Sequence, residues 1–148
     1  MDEAGRADAD RVAEWACASV ATRFFHELDR NNHAGLLRLF APDGRWIRQG
    51  VELAGPNALL SALEARPTDR TTRHILANVV VDVAAASGHA TVGYDVLVYA
   101  GGGTVPPHLS SILSGTDELV ERDGCWLFLL KRAAPVFRFA TPAVSHAA

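Results

Sequence analysis

One segment of the chain places two polar side chains inside a run of apolar residues. Residues 71–83 have the composition of a β-strand, and they contain His74 and Asn78. Strand side chains alternate between faces, so these two residues share one face, and the opposite face is almost entirely apolar. We therefore expect the strand to be covered on both sides. An imidazole in that position either hydrogen-bonds to a fixed group or faces a cavity, where it could transfer protons.

Two shorter patterns indicate ligand-binding groups. Trp46 and Arg48 are two residues apart in a strand-like run, so an indole and a guanidinium share a face and could bind a planar or carboxylated ligand. Tyr94 shares a face with apolar neighbours in residues 90–100, where its hydroxyl could stabilise an oxyanion. Core packing explains Trp46 equally well, and a hydrogen bond to the backbone explains Tyr94, so both interpretations stay open.

Other chemistries have little support in the sequence. The histidines lack the spacing of metal ligands, and no helix follows the glycines at 101–103 as a phosphate-binding loop requires. The serines at 110, 111 and 114 lack the glycine frame of a nucleophile elbow. We expect no metal, no nucleotide and no other cofactor.

The composition is that of one mildly acidic globular domain. The 148 residues are 49% hydrophobic and 21% charged, which is enough for a sizeable core. The net charge is -3 and the 14 Lys and Arg residues are scattered, so we do not expect a nucleic-acid partner. Cys17 and Cys125 lie far apart, and neither a signal peptide nor a membrane-spanning run is visible. We expect a cytoplasmic protein that is not attached to a membrane.

Helical periodicity predicts three helices and a β-hairpin in the first half of the chain. In chain order, the first helix, the second helix, the hairpin and the third helix occupy residues 8–29, 36–40, 45–53 and 57–66. Asn31 and Asn32 favour a turn after the first helix, and the turn-forming residues 41–44 end the second. Pro56 suits the first turn of the third helix, and Pro67 stops it.

The second half of the chain is predicted to be an antiparallel meander. Its four strands occupy residues 72–85, 90–100, 109–121 and 125–136 or beyond. Residues 101–107 are too rich in glycine and proline for a central strand, so we interpret them as a long hairpin loop or a lid. One domain is expected over residues 1–140, followed by a disordered tail at 141–148.

This order of elements, with four local segments, resembles the nuclear-transport-factor-two-like superfamily and most closely its SnoaL-like members. The matching segments are residues 39–46, 55–59, 72–78 and 117–126. The resemblance implies an α+β fold, a cone-shaped α+β barrel in which three N-terminal helices pack on a strongly curved, mainly antiparallel sheet. It also implies a pocket between the sheet and the long first helix. The superfamily contains enzymes and non-catalytic subunits, so the fold alone does not select an activity.

The resemblance further implies a pair of acid–base residues. Similar dehydratases, including scytalone dehydratase and bile acid dehydratases, place an acidic residue and a histidine on the pocket wall at positions comparable to Asp29 and His74. If the two meet, Asp29 would orient the imidazole and stabilise its protonated form, and His74 would shuttle a proton in elimination or enolisation. In the alternative interpretation, Asp29 belongs to a polar cluster at the helix end, and His74 forms a hydrogen bond with a buried carbonyl.

The chain also departs from the dehydratase pattern. Scytalone dehydratase has a tyrosine immediately before its helix aspartate, whereas this chain has Leu28 before Asp29. No second histidine occurs within residues 111–116 on the penultimate strand. The full set of dehydratase residues is therefore absent.

Two further residues are candidates for the pocket. His26 lies about one helical turn before Asp29 and could enter the pocket, although it fits a solvent-facing position as well. Asp117 either faces the pocket or pairs with Arg73 or Arg132, and an ion pair is our expectation.

The leading hypothesis is a small cofactor-independent enzyme of the lyase or isomerase type. It would use general acid/base proton transfer for dehydration, isomerisation or cyclisation of a hydrophobic cyclic, polyketide-like or steroid-like metabolite. The catalytic residues would be His74 and Asp29, and the substrate-binding residues would be Trp46, Arg48, Tyr94, Asn78 and His26. The alternative is a non-catalytic ligand-binding or assembly subunit resembling the β subunits of ring-hydroxylating dioxygenases. The resemblance implies a homodimer or other homo-oligomer in either case.

Overall fold

The computed structural model describes residues 2–144, which form three α-helices and six β-strands. In chain order the elements are α1 (Glu3–Asp29), α2 (His33–Leu37), β1 (Phe40–Arg48), β2 (Val51–Ala54), α3 (Gly55–Glu64), β3 (Thr71–Ala84), β4 (His89–Gly102), β5 (Val105–Arg122) and β6 (Cys125–Arg138). The strands form one sheet in the order β2-β1-β6-β5-β4-β3. Every neighbouring pair is antiparallel except β1 and β6. The predicted α+β architecture, with helices packed on a mainly antiparallel sheet, is confirmed.

The long helix α1 provides one wall of the core. It begins before the predicted start, because the Asp2 side chain accepts a hydrogen bond of 2.8 Å from the amide of Gly5 and caps the helix. Its buried face is formed by Cys17, Ala21, Phe24, Phe25 and Leu28, which pack in the core cluster with the inner face of the sheet. Val12 and Trp15, in its first half, are in contrast 67% and 74% exposed. The helix is therefore anchored by its second half.

The second helix begins and ends three residues earlier than the sequence predicts. Helix α2 covers His33–Leu37, because the Asn32 side chain accepts a hydrogen bond of 3.1 Å from the amide of Gly35 and so fixes its start. Phe40 already belongs to β1, where it pairs with Phe128 of β6. The predicted turn at 41–44 is an irregularity inside β1 that shifts its register against β6.

The predicted long loop or lid at 101–107 is wrong. Strand β4 runs to Gly102 and β5 begins at Val105, so the connection is a tight turn. Gly102 and Gly103 have φ angles of 124° and 58°, which supply the backbone geometry of that turn. The prolines are tolerated because the first residues of β5, before Ser110, pair only with β4 and leave one edge unpaired.

A β-bulge divides β3 into two parts. The register against β4 shifts between Ala77 and Val80, and Asn78 adopts a φ of 52°. The alternation predicted from the sequence therefore fails after Leu76, and Asn78 leaves the face that carries His74. The outer face of β3 is also uncovered in the single chain, contrary to our expectation.

The C-terminal end of the described chain carries no helix or strand. Residues 141–144 are exposed, and residues 145–148 of the predicted tail lie outside the described residues. Within residues 2–144, no helix is both long and apolar enough to cross a membrane.

Candidate active site

A cavity of about 400 Å³ lies between α1 and the inner face of the sheet. This volume is in the range of pockets that bind small molecules. Its apolar lining includes Phe24, Phe25, Leu28, Trp46, Val98 and Leu113. A smaller cavity of about 220 Å³ beside α2 and α3 is lined by apolar and glycine residues, so it offers no titratable side chain. The larger cavity is therefore the candidate active site.

Asp29 and His74 meet at the wall of this cavity. The His74 Nδ1 lies 2.6 Å from Oδ1 of Asp29, and the His74 backbone amide donates to Oδ2 at 2.8 Å. The hydroxyl of Thr72 donates a third hydrogen bond of 2.9 Å to Oδ1. The two side chains are only 10% and 5% exposed, so the pair is largely withdrawn from water. The structure thus brings together the two residues that the resemblance implied.

The carboxylate determines which ring nitrogen of His74 faces a ligand. An ionised carboxylate can only accept hydrogen bonds, so Nδ1 carries a proton and donates it to Asp29. Nε2 then keeps its lone pair in the neutral ring, and His74 belongs to the cavity lining. The ring of Phe25 stacks on the imidazole with centroids 5.1 Å apart, which fixes its plane. The arrangement leaves Nε2 as the nitrogen able to take a proton from a ligand.

Asp29 occupies an unfavourable place for an acidic residue. It is the last residue of α1, where the helix dipole disfavours negative charge. Burial raises the pKa of its carboxyl, but the hydrogen bonds from His74 and Thr72 outweigh burial, so the pKa is lowered overall. Asp29 is therefore ionised beside His74 at neutral pH.

A second charged cluster lies on the same cavity wall and is built around Lys131. Its ammonium donates to Oδ2 of Asp117 and to the hydroxyl of Tyr94, each at 2.8 Å. Asp117 also accepts from the Tyr94 hydroxyl at 3.1 Å and from the backbone amide of Arg132 at 3.2 Å. An ion pair for Asp117 was expected, but its partner is Lys131 rather than the side chain of Arg73 or Arg132.

Aromatic rings enclose the Lys131 ammonium. Its Nζ lies 4.2 Å from the ring centroid of Phe24, and three more centroids, of Phe25, Tyr94 and Phe128, lie within 4.9 Å. Such ring faces favour a cation. Burial nevertheless lowers the pKa of Lys131 and raises that of Asp117, while the attraction within the pair opposes both shifts.

Three of the predicted substrate-binding residues line the cavity. Trp46 is 8% exposed and packs edge to face against Phe24, so it serves both the core and the cavity wall. The guanidinium of Arg48 lies 5.5 Å from the Trp46 ring centroid and donates to the carbonyl of Ala62 at 3.3 Å. Tyr94 lines the cavity with its hydroxyl held by side chains, so the expected bond to the backbone is replaced by the Lys131 cluster.

The other two predicted substrate-binding residues lie outside the cavity. His26 is exposed, because α1 turns Phe25 and Leu28 toward the cavity and His26 away from it. Asn78 is exposed because of the bulge in β3, and it donates to Asp95 at 2.8 Å. The prediction of a pocket position is wrong for both.

Lys131 is a charged residue of the cavity lining that the sequence analysis missed. Strict alternation from the buried Phe128 would turn Lys131 outward. The register of β6 against β5 shifts between Phe128 and Leu130, and this shift turns Lys131 inward. One signal was available, because Lys131 is the only lysine in a chain that otherwise uses arginine for its basic residues. Among residues 2–144, no group of three or more His, Cys, Asp and Glu side chains is placed to hold a metal ion.

Comparison with known proteins gives one family match and several solved structures of the same fold. The sequence profile of a family described as the SnoaL-like domain matches residues 11–132. No curated protein sequence matches the chain.

The similar solved structures share the fold at low sequence identity. A candidate scytalone dehydratase from Novosphingobium aromaticivorans is 23% identical, with a TM-score of 0.76 over 93% of this chain and 95% of that one. The hexachlorocyclohexane dehydrochlorinase LinA type 2 is 21% identical, with a TM-score of 0.76 over 95% of this chain and 97% of that one. An NTF2-like protein with a cystatin-like fold, also from Novosphingobium aromaticivorans, is 16% identical, with a TM-score of 0.77 over 91% and 90%.

Proposed function

The chain belongs to the SnoaL-like domain family, and from that premise we propose that it is a small single-domain enzyme of the lyase or isomerase type. It acts by general acid/base proton transfer on a hydrophobic cyclic metabolite, in a dehydration, isomerisation or cyclisation. The observation that carries this proposal is the contact of 2.6 Å between His74 and Asp29 at the wall of a cavity of about 400 Å³. The names of two similar structures, a dehydratase and a dehydrochlorinase, are consistent with elimination chemistry.

The first step of the proposed reaction is removal of a proton from carbon. Nε2 of His74 takes a proton from a carbon next to a carbonyl group, and the electron pair of that C–H bond moves into an enolate. Asp29 stabilises the imidazolium that forms, because its carboxylate already accepts the Nδ1 proton. The imidazolium then returns the proton to a leaving hydroxyl, which departs as water, or to another carbon, which gives an isomer.

Lys131 is the proposed stabiliser of the negative charge that develops on oxygen. Lys131 belongs to the cavity lining, and Asp117 and Tyr94 hold its ammonium in place, so its positive charge is fixed beside the cavity where an enolate would form. The rings of Phe24 and Phe25 exclude water around it, which strengthens electrostatic interactions. The aromatic and aliphatic side chains of the lining suit a ring compound.

Deuterium exchange in D₂O tests the proton-transfer step before the full substrate is known. We would incubate a panel of hydroxylated cyclic ketones with the protein and follow exchange at the carbon next to the carbonyl by NMR. His74→Gln should lower the exchange rate by about 10²- to 10⁴-fold, the usual contribution of a positioned acid–base group. His89→Gln is the matched control, since His89 is exposed at the start of β4. Exchange at the wild-type rate in the His74→Gln variant would reject the proposed proton-transfer mechanism.

The second candidate function is a non-catalytic assembly subunit, and two observations favour it. The hydrogen bond from the His74 backbone amide to Asp29 also ties β3 to α1, which is a structural role for the pair. The outer face of the sheet exposes large apolar side chains that a partner would cover, namely Ile75, Val80, Tyr99 and Phe137.

A homodimer formed through this outer face is part of both proposals. Light scattering at micromolar concentration measures the assembly, and a monomeric mass would contradict it. Full assembly with no exchange of any ketone would favour the assembly subunit over the enzyme.

We place the protein in the cytoplasm, in line with its two unpaired cysteines, Cys17 and Cys125.

A further inference from the structure

The charges that line the cavity differ from those of the chain as a whole. The protein carries a net charge of -3, with 17 Asp and Glu residues against 14 Lys and Arg residues. The cavity lining, in contrast, contains five Lys and Arg residues and no Asp or Glu; the five are Arg48, Arg66, Arg70, Lys131 and Arg138. The asymmetry concentrates positive charge where a ligand would bind.

Lys131 and Arg66 each have two partners within the protein, whereas Arg48 donates one hydrogen bond of 3.3 Å, to the carbonyl of Ala62. Lys131 forms its ion pair with Asp117 at 2.8 Å. Arg66 donates to the carbonyl of Leu28 at 2.8 Å and to the hydroxyl of Thr72 at 3.2 Å, so it braces the end of α1 against β3. These two side chains contribute charge to the cavity but have fewer donors left for a ligand.

Arg48, Arg70 and Arg138 have no acidic partner in the described structure. Among residues 2–144, no carboxylate oxygen lies within 4.0 Å of their side-chain nitrogens. Other arginines of the chain do form such pairs, as Arg122 does with Asp43 at 2.6 Å. Burial lowers the pKa of Arg48, and the positive charge of Arg70 lowers it further, so an anion between them would relieve repulsion.

We propose that the substrate carries a carboxylate, which binds to the arginine cluster formed by Arg48, Arg70 and Arg138 while its ring lies on the aromatic wall of the cavity. A planar carboxylate matches the guanidinium fork and forms two parallel hydrogen bonds with it. The half-buried Arg48, held against Trp46, is the principal anchor, and the exposed Arg70 and Arg138 steer and enclose the group. A cavity of about 400 Å³ accommodates a ring acid of one or two rings.

This inference deepens the proposed function, and it rests on that function in placing the reacting ring near His74. Binding of the carboxylate itself does not need acid–base chemistry. A binding measurement therefore separates the two proposals.

The test compares a ring acid with its neutral ester by isothermal titration calorimetry. 2-Naphthoate should bind the wild-type protein about tenfold more tightly than methyl 2-naphthoate, because one charge-assisted pair is lost in the ester. Arg48→Gln should weaken naphthoate binding by about tenfold and leave the ester unchanged, and Arg70→Gln should act in the same direction by about threefold. Arg38→Gln is the control, since Arg38 is exposed and lies outside the cavity lining.

Several outcomes would overturn the arginine-cluster proposal. They are equal affinity for acid and ester, no detectable binding of naphthoate, and unchanged naphthoate affinity in both arginine variants. Tighter binding of 2-naphthyl phosphate than of 2-naphthoate would replace the carboxylate with a phosphate.

Arg70 is exposed, so its variant folds even if Arg48→Gln does not. His74→Gln should keep the preference for naphthoate over its methyl ester, because the arginine cluster is unchanged. Loss of ketone exchange with this preference retained supports both proposals, and retained exchange with the preference retained rejects only the acid–base mechanism.

Discussion

Two buried acid–base pairs lie at the cavity, each with its basic member in the lining, and their surroundings differ. In the pair of Asp29 and His74, the two side chains are 5% and 10% exposed, and one ring nitrogen of His74 is left for a ligand. In the pair of Asp117 and Lys131, the side chains are 0% and 2% exposed, and both groups have several partners. The first pair is partly open to the cavity, whereas the second is closed on nearly every side.

The chemistry of the two basic groups follows the same division. An imidazole gains and loses a proton near neutral pH, so the open pair is suited to proton transfer. An ammonium next to a carboxylate, with aromatic rings around it, is suited to holding a fixed positive charge. We infer that one pair moves protons and the other stabilises the charge that results. Breaking each pair in turn should therefore affect different properties of the protein.

The largest effect is expected from Asp117→Asn, which removes the countercharge of Lys131. An unpaired buried ammonium typically costs about 3–5 kcal/mol, so the variant should lose that much unfolding free energy. Urea denaturation followed by circular dichroism measures the loss. The matched control is Asp82→Asn, because Asp82 is exposed on β3 and has no ion-pair partner among residues 2–144.

A double variant sharpens this result. If the cost comes from the unpaired charge, Asp117→Asn combined with Lys131→Met should be more stable than Asp117→Asn alone, since no ammonium remains buried. Equal instability of the single and double variants would mean that packing, and not charge, accounts for the loss.

The open pair, Asp29 and His74, could be predicted from the sequence. The closed pair, Asp117 and Lys131, could be predicted only in part. His74 stood out as an imidazole within an apolar strand, and its partner Asp29 followed from the resemblance to known dehydratases. Asp117 was expected to form an ion pair, but Lys131 was not identified, because its inward orientation depends on a bulge in β6 that leaves no clear pattern in the residues. Three-dimensional pairing between strands decided which face the lysine occupies.

Local irregularities also explain the errors in the fold. The order of the helices and the four-stranded meander follow from hydrophobic periodicity, and they were predicted correctly. The bulge at Asn78 and the tight turn at Gly102 and Gly103 depend on single backbone angles, which periodicity does not report. Side chains near such points are therefore the least predictable members of the site.

A smaller effect is expected from Gly115→Ala, which perturbs the closed pair through Tyr94. Gly115 lies opposite Tyr94 in the sheet, and a Cβ atom at this position would overlap the tyrosine ring. The ring must move, and overpacking of this kind costs about 1–3 kcal/mol of unfolding free energy. Gly93→Ala is the control, since its nearest neighbour would lie 3.9 Å away, at the carbonyl of Val80. Equal stability of the two variants would show that Tyr94 adapts without cost.

The smallest effect is expected in the pH dependence of stability, and it concerns the open pair. The pKa of Asp29 is lowered from its ordinary value of 3.8, because hydrogen bonds from His74 and Thr72 outweigh the effect of burial. A carboxyl group whose pKa is lower in the folded state stabilises the protein fully above its unfolded pKa, and this contribution is lost as the pH falls through the folded pKa. The stability difference between wild type and Asp29→Asn should therefore be larger at about pH 6 than at about pH 3.

Urea denaturation at both pH values measures this difference, and subtraction of the variant removes the contribution of the other carboxyl groups. Asp95→Asn provides the comparison, because Asp95 accepts its hydrogen bond from Asn78 on the exposed side of the sheet and not from His74. A difference for Asp29 that is constant over this pH range would mean that its carboxyl is held no more strongly in the folded state than in the unfolded chain. The contact with His74 would then fix geometry without favouring the charged carboxylate, and the proposed stabilisation of the imidazolium would lose its electrostatic basis.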